Sequence, residues 1–196
     1  MDYSFHYESP LGGITLASDG EGLTGLWFDG QKHFGATLPT ECRVECLPVF
    51  CETAAWLNAY FRGEKPENFP ALHLRGTPFR SRVWEILKKI PYGQLMTYGE
   101  IAAILAAEDG IPRMSARAVG GAVGHNPVSI IIPCHRVTGA NGSLTGYAGG
   151  LERKKELLRL EGIAAEQGQA PFTAYCCSLR REACSSPDNL KDCTWE

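Results

Sequence analysis

The 196-residue chain has no apolar run approaching the ~18 residues that a membrane-spanning helix needs. No segment repeats, which excludes solenoids and propellers. Large charge of either sign is also missing: 19 Lys+Arg face 22 Asp+Glu, for a net −3. With 44% hydrophobic and 21% charged residues, the composition is neither collagen-like, coiled-coil nor disordered. Residues 1–8, Met-Asp-Tyr-Ser-Phe-His-Tyr-Glu, lack a basic stretch followed by an apolar one. No secretory leader is expected, and a reducing, cytoplasmic setting is. The eight cysteines show no disulfide-framework spacing. Cys42, Cys46 and Cys51 share one stretch, Cys176, Cys177, Cys184 and Cys193 lie near the C-terminus, and Cys134 stands alone.

What the chain does have is a charge asymmetry. Residues 1–74 carry 4 basic and 10 acidic residues, whereas residues 75–162 carry 12 and 7. Such a basic segment can form an anion-binding face, for nucleic acid among others, or a solvated helical surface.

Residues 1–74 read as a strand meander and a helix. Tyr3, Phe5 and Tyr7 alternate with polar residues, and turns at Pro10–Gly13 and Asp19–Gly22 separate further strands at Ile14–Ser18 and Leu23–Phe28. Phe50, Ala54, Leu57 and Phe61 then mark one face of a helix starting near Pro48. Pro66–Pro70 reads as a linker. Residues 75–163 read as short helices. Thr77-Pro78 opens one that carries Phe79, Val83, Trp84 and Leu87 to the core. A capping box at Thr97–Glu100 opens the next, which carries Ile101, Ile104 and Leu105. Ser115 caps a third, Ala116–His125, completing a helix-turn-helix candidate. A β-branched run, Ile130–Ile132, leads to Pro133 and Cys134, and Leu151–Glu161 is a last amphipathic helix. The expected class is α+β: a small N-terminal α/β domain with an antiparallel sheet, then a helical, winged-helix-like domain. From Ala164 the apolar periodicity stops, and residues 164–196 are expected to be disordered.

Chemistry centres on Pro133-Cys134-His135-Arg136-Val137. A thiolate is a strong nucleophile for carbon, but a free thiol titrates near ~8.5 and needs a base or a cation beside it. His135 can supply the base if a carboxylate orients it. Read alone, a Cys-His pair favours a buried cysteine followed by two surface residues over a nucleophile and its base.

The surrounding motifs extend the reading. Ile131-Ile132-Pro133-Cys134-His135-Arg136-Val137 and Gly146-Tyr147-Ala148-Gly149-Gly150-Leu151 resemble the O6-alkylguanine-DNA alkyltransferases. So do Ala116-Arg117-Ala118-Val119-Gly120-Gly121-Ala122, Asn126-Pro127-Val128 and Leu160-Glu161-Gly162, in the same order. Ser9–Gly12 and Leu23–Phe28 resemble the family's N-terminal domain more weakly. The resemblance implies direct reversal of O6-alkylguanine, and of O4-alkylthymine, in double-stranded DNA. The alkyl group would pass irreversibly to Cys134 in a single turnover without a cofactor. It implies roles as well. His135 would take the thiol proton through a water, Glu161 would orient His135, Asn126 would shape the Cys turn, and Tyr98 would protonate the leaving base. Ala116, Arg117, Ala118, Gly120, Gly121 and Arg136 would meet DNA in the minor groove, with Arg117 filling the space of the flipped nucleotide. Tyr147, Val137 and Gly149 would wall the base pocket. The protein would act as a monomer, away from membranes and, in a bacterium, at the nucleoid. Some relatives hold a structural zinc, but Asp19 and Thr24 stand at ligand positions here with only His73 in place, and no metal is expected. A lesion-binding relative without an acceptor thiol is disfavoured by Cys134, and a Cys-His hydrolase by Arg117.

Overall fold

Three antiparallel strands begin the chain: β1 (Tyr3–Ser9), β2 (Gly12–Ser18) and β3 (Leu23–Phe28). A two-residue strand, β4 (Arg43–Val44), adds to β1 in parallel, so the sheet runs β3-β2-β1-β4 and is mixed rather than purely antiparallel. In this computed structural model residues 1–39 and 41–163 are described, and the expected disordered tail at 164–196 lies outside them. Helix α1 (Pro48–Phe61) packs on β1 and β2. Pro48 sets its first turn, where a missing N–H costs nothing. The face it buries is Val49, Phe50, Thr53, Trp56, Leu57 and Tyr60. That face is rotated from the expected stripe, since Phe61 is only partly buried while Tyr60 is fully so.

Four α-helices follow among the described residues. They are α2 (Pro78–Lys88), α3 (Tyr98–Glu108), α4 (Ala116–Gly124) and α5 (Leu151–Leu160). The start of α3 is fixed by the capping box: Thr97 Oγ1 accepts from Glu100 N at 3.1 Å, and Glu100 Oε2 accepts from Thr97 N at 2.6 Å. Ser115 Oγ caps α4 by accepting from Ala118 N at 3.3 Å. Helices α3 and α4 pack together as the helix-turn-helix, and α4 also rests on α2, where Trp84 Nε1 donates to Ala122 O at 3.0 Å. Within α3, Ile101, Ala102, Leu105 and Ala106 are buried, but Ile104, expected in the core, is 38% exposed. Two short strands, β5 (Met96–Thr97) and β6 (Val137–Thr138), pair in parallel.

One apolar core runs through residues 1–163. It joins Ile14, Leu16, Phe28, Phe50 and Leu57 to Val83, Trp84, Ile101, Val119, Ile132 and Leu157. Backbone bonds follow the same path, with Leu26 N donating to Pro127 O at 2.8 Å and Ser129 N to Leu26 O at 2.9 Å. The edge of β3 therefore braces the segment that leads to Cys134. No helix among the described residues is long and apolar enough to cross a membrane.

Candidate active site

The β-branched run before Cys134 is a turn rather than a strand. Ile130 sits at φ 67°, a left-handed conformation costly for a β-branched residue. Bonds from Ile131 N to Ser129 O (2.8 Å) and from Ile132 N to Val128 O (3.1 Å) hold it there. Asn126, the residue after the C-cap of α4, locks the same turn from inside. Its Nδ2 donates to Ile132 O at 2.8 Å, Val128 O at 3.2 Å and Cys134 Sγ at 3.1 Å, while its Oδ1 accepts from Val128 N at 3.1 Å. A substitution that shortened this side chain would orphan several buried groups at once.

Cys134 opens a single 3-10 turn, Cys134–Arg136, and is 4% exposed. Burial pushes its thiol up from the ordinary value, and the bonds from Asn126 and the charge of Lys154 only partly offset that. The resting group is therefore a thiol, and attack needs a base.

That base stands next in sequence. His135 is fully buried, with Nε2 2.7 Å from Glu161 Oε1. Burial favours the neutral imidazole and outweighs the pull of Glu161 in the other direction. Burial also tends to raise Glu161, but its bonds and charge interactions with His135 and Arg136 prevail and hold it at about 2. An ionised carboxylate can only accept, so the His135 proton is assigned to Nε2. Nδ1 is then the basic nitrogen, buried and without a protein partner among the described residues.

Glu161 gathers donors from four residues on three segments. Arg136 gives it Nε at 2.8 Å and Nη2 at 3.0 Å, and Gly93 N donates at 3.1 Å. The Tyr60 hydroxyl donates at 2.7 Å, and His135 completes the set. Gly93 lies at φ 74°, and a Cβ there would stand 3.1 Å from the Glu161 carbonyl oxygen, so glycine suits this close approach. Arg136 is corrected by this geometry. Expected at the DNA surface, it is 8% exposed, spends its guanidinium on Glu161 and Ile90 O (2.6 Å), and lies over the Tyr92 ring. Sequence shows a charge but not its burial.

Lys154 was not singled out by the sequence. It is fully buried on α5, and its Nζ donates to Val137 O at 2.5 Å and to Thr145 O at 3.3 Å. Burial pushes it down to about 8, while the proximity of Cys134 favours its charged form. It ties the loop after β6 to the floor of the site.

The remaining expected residues surround this centre. Tyr98 is the first residue of α3, and its hydroxyl donates toward Thr145 O and Gly146 O, each at 3.2 Å. Burial and Cys134 raise its pKa, so it stays a proton donor. The Tyr147 hydroxyl is buried without a hydrogen-bond partner among the described residues. A Cβ on Gly149 would come within 2.6 Å of the Tyr147 ring, which fixes that glycine beneath it. Val137 is fully buried and belongs to the apolar core that also holds Cys134. Ala116, Arg117, Ala118 and Gly121 are exposed on α4, and Gly120 faces the Tyr98 ring. Among the described residues no group of three or more His, Cys, Asp or Glu is placed to hold a metal. Asp19 and His73 do come together, with His73 Nδ1 2.9 Å from Asp19 Oδ2.

Residues 3–75 match the family model of the 6-O-methylguanine DNA methyltransferase ribonuclease-like domain, and residues 78–163 that of its DNA-binding domain. A methylated-DNA–protein-cysteine methyltransferase of Mycobacterium tuberculosis is 47% identical over 162 residues, covering 80% of this chain and 92% of that protein. Its namesake in Haemophilus influenzae is 43% identical over 163 residues, covering 82% and 87%. A crystal structure of M. tuberculosis OGT in complex with DNA superposes with a TM-score of 0.70 at 48% identity, over 81% of this chain and 92% of that one. With both of its segments matched and the relatives covered almost end to end, the chain belongs to the 6-O-methylguanine DNA methyltransferase family.

Proposed function

We propose that this chain repairs alkylated DNA by direct reversal, moving the alkyl group from O6 of guanine, or O4 of thymine, to Cys134. The observation that carries this is the buried thiol beside a neutral imidazole that is oriented by an ionised carboxylate. The Cys134 proton passes to His135 Nδ1, through a water. Sulfur then attacks the alkyl carbon, the C–S bond forms, and the C–O6 bond breaks with its electron pair on the base. The Tyr98 hydroxyl, released from the Thr145 and Gly146 carbonyls, neutralises that developing oxyanion. A thioether has no route back to the thiol here, so each chain acts once. No cofactor enters the reaction.

A base stacked in a duplex cannot reach a thiol so deeply covered, and the target nucleotide must be extruded. The exposed first turn of α4 faces the minor groove of the duplex, its small residues allowing close approach and Arg117 taking the place of the flipped nucleotide. Residues 1–74 act as a supporting domain and residues 75–163 as the DNA-binding alkyltransferase domain, a division parallel to the two family models. The protein works as a monomer in the cytoplasm. Incubation with excess duplex bearing a labelled O6-methylguanine tests the reading: one label per chain, with no further turnover, is expected. Continued turnover, or label released as methanol, would reject it.

A further inference from the structure

Tyr60 adjoins the His135–Glu161 pair, and neither the sequence motifs nor the family names single it out. It comes from the last turn of α1, far from the Cys134 segment in sequence, and its ring is fully buried. Its hydroxyl lies 2.7 Å from Glu161 Oε1 and 3.3 Å from His135 Nε2. Oε1 is the oxygen that also accepts the His135 proton, at 2.7 Å. Trp56 stacks on the Tyr60 ring at 5.5 Å, and Tyr92 and His135 meet its edge or face, so the hydroxyl is held in place. Burial together with Glu161 keeps the phenol protonated.

We infer that Tyr60 is a positioning residue that tempers the basicity of His135 by sharing Glu161 Oε1 with it. The inference rests on the reading of His135 as the base for Cys134. A carboxylate oxygen that accepts two hydrogen bonds gives less electron density to each. With Tyr60 present, Glu161 aligns the imidazole but stabilises its cation less, so His135 remains neutral and able to take the thiol proton. The other charged or titratable groups around His135 are Arg136 beside it, Lys154 on α5, Tyr92 after α2, and Cys134 itself. Arg136 and Lys154 act in the same direction as Tyr60, since both disfavour an imidazolium. Tyr60 is the contribution of α1 to a site otherwise built by residues 90–161. It gives the N-terminal sheet and helix a chemical as well as a supporting role.

The test is Tyr60→Phe, which removes the hydroxyl and keeps the ring. Alkyl transfer from free O6-benzylguanine is measured from pH 5 to 9, alongside the unaltered chain. The acid limb of the rate profile is expected to move up by about one pH unit, with the alkaline plateau kept within about twofold. A second readout needs no activity: the His135 Nε2 proton resonance, followed by ¹⁵N-edited NMR, should move downfield as the His135–Glu161 bond strengthens. If Tyr60→Phe does not fold, 3,5-difluorotyrosine at position 60 keeps the packing and donates more strongly, so both readouts should move the opposite way. A profile and a resonance that stay unmoved in the folded variant would overturn the inference. Absence of transfer in the unaltered chain would instead reject the alkyltransferase reading, and the proton resonance would still decide the role of Tyr60.

Discussion

Around Glu161 the polar atoms of Tyr60, Gly93, His135 and Arg136 converge on two carboxylate oxygens away from water, whereas along the outer face of α4 the residues Ala116, Ala118 and Gly121 offer almost no side chain at all. The first region is defined by what touches what. The second is defined by what is left out, with Arg117 as its one long side chain. A buried network loses heavily when any member is removed, because partners are orphaned in a low-dielectric interior. An exposed face of small residues loses little stability when it changes, so its composition reflects the surface it must approach. Within residues 1–163, then, the chemistry should be fragile to substitution, and the α4 face proposed to meet DNA tolerant in folding but sensitive in binding.

The largest effect expected from this contrast is in Glu161→Gln. It leaves Arg136 buried without its charge partner, which costs about 3–5 kcal/mol of stability, and it releases His135, slowing transfer by roughly 100-fold or more. Denaturant melts and single-turnover assays read the two losses separately. The same carboxylate sets an acid dependence. It lies at about 2 in the folded chain against an ordinary 4.5, so its contribution is present above about pH 4.5 and is lost as pH falls toward 2. That contribution is on the order of 3 kcal/mol, and Glu161→Gln should remove this part of the acid unfolding.

Arg117→Ala should separate the two regions. If Arg117 takes the place of the flipped nucleotide as proposed, repair in duplex DNA should slow by roughly tenfold or more, while reaction with free O6-benzylguanine stays within about twofold. Equal losses on both substrates would place Arg117 with the chemistry instead. The smallest effect is expected at Gly121, where an added Cβ meets nothing within 4 Å. Gly121→Ala should stabilise α4 by about 1 kcal/mol and raise the melting temperature. The same methyl group should weaken duplex binding. Unchanged affinity would mean that this face of α4 stands off the DNA.

Most of the architecture was legible because its signals are local. The capping residues Thr97 and Ser115 placed α3 and α4, and alternating aromatics placed β1. The strands β4, β5 and β6 were not legible, since two residues carry no periodicity and their pairing is decided by tertiary contact. The apolar stripe chosen for α1 ran through Ala54 and Phe61, and so missed that Trp56 and Tyr60 point inward. A tyrosine scores as half-polar, and its burial becomes intelligible only once Glu161 supplies an acceptor. Glu161 itself carried a faint physical signal: a carboxylate at the C-cap of α5 opposes the helix dipole and needs another reason to be there. Arg136 reads as a DNA contact and Lys154 carries no signal of its own, and only packing shows them buried. The site's nucleophile and its neighbours came from motif resemblance. Their mutual geometry could not, because Asn126 meets Cys134 through the turn at Ile130 while Glu161 reaches His135 from the end of α5.

The central claim is that Cys134, rather than another thiol of this chain, receives the alkyl group. Its most direct test is the intact mass and peptide map of the protein after reaction with duplex DNA containing O6-methylguanine. The account predicts a gain of one methylene per chain, found on the peptide containing Cys134 and absent in Cys134→Ser. A methylene on Cys42, Cys46 or Cys51, or the same gain in Cys134→Ser, would contradict it.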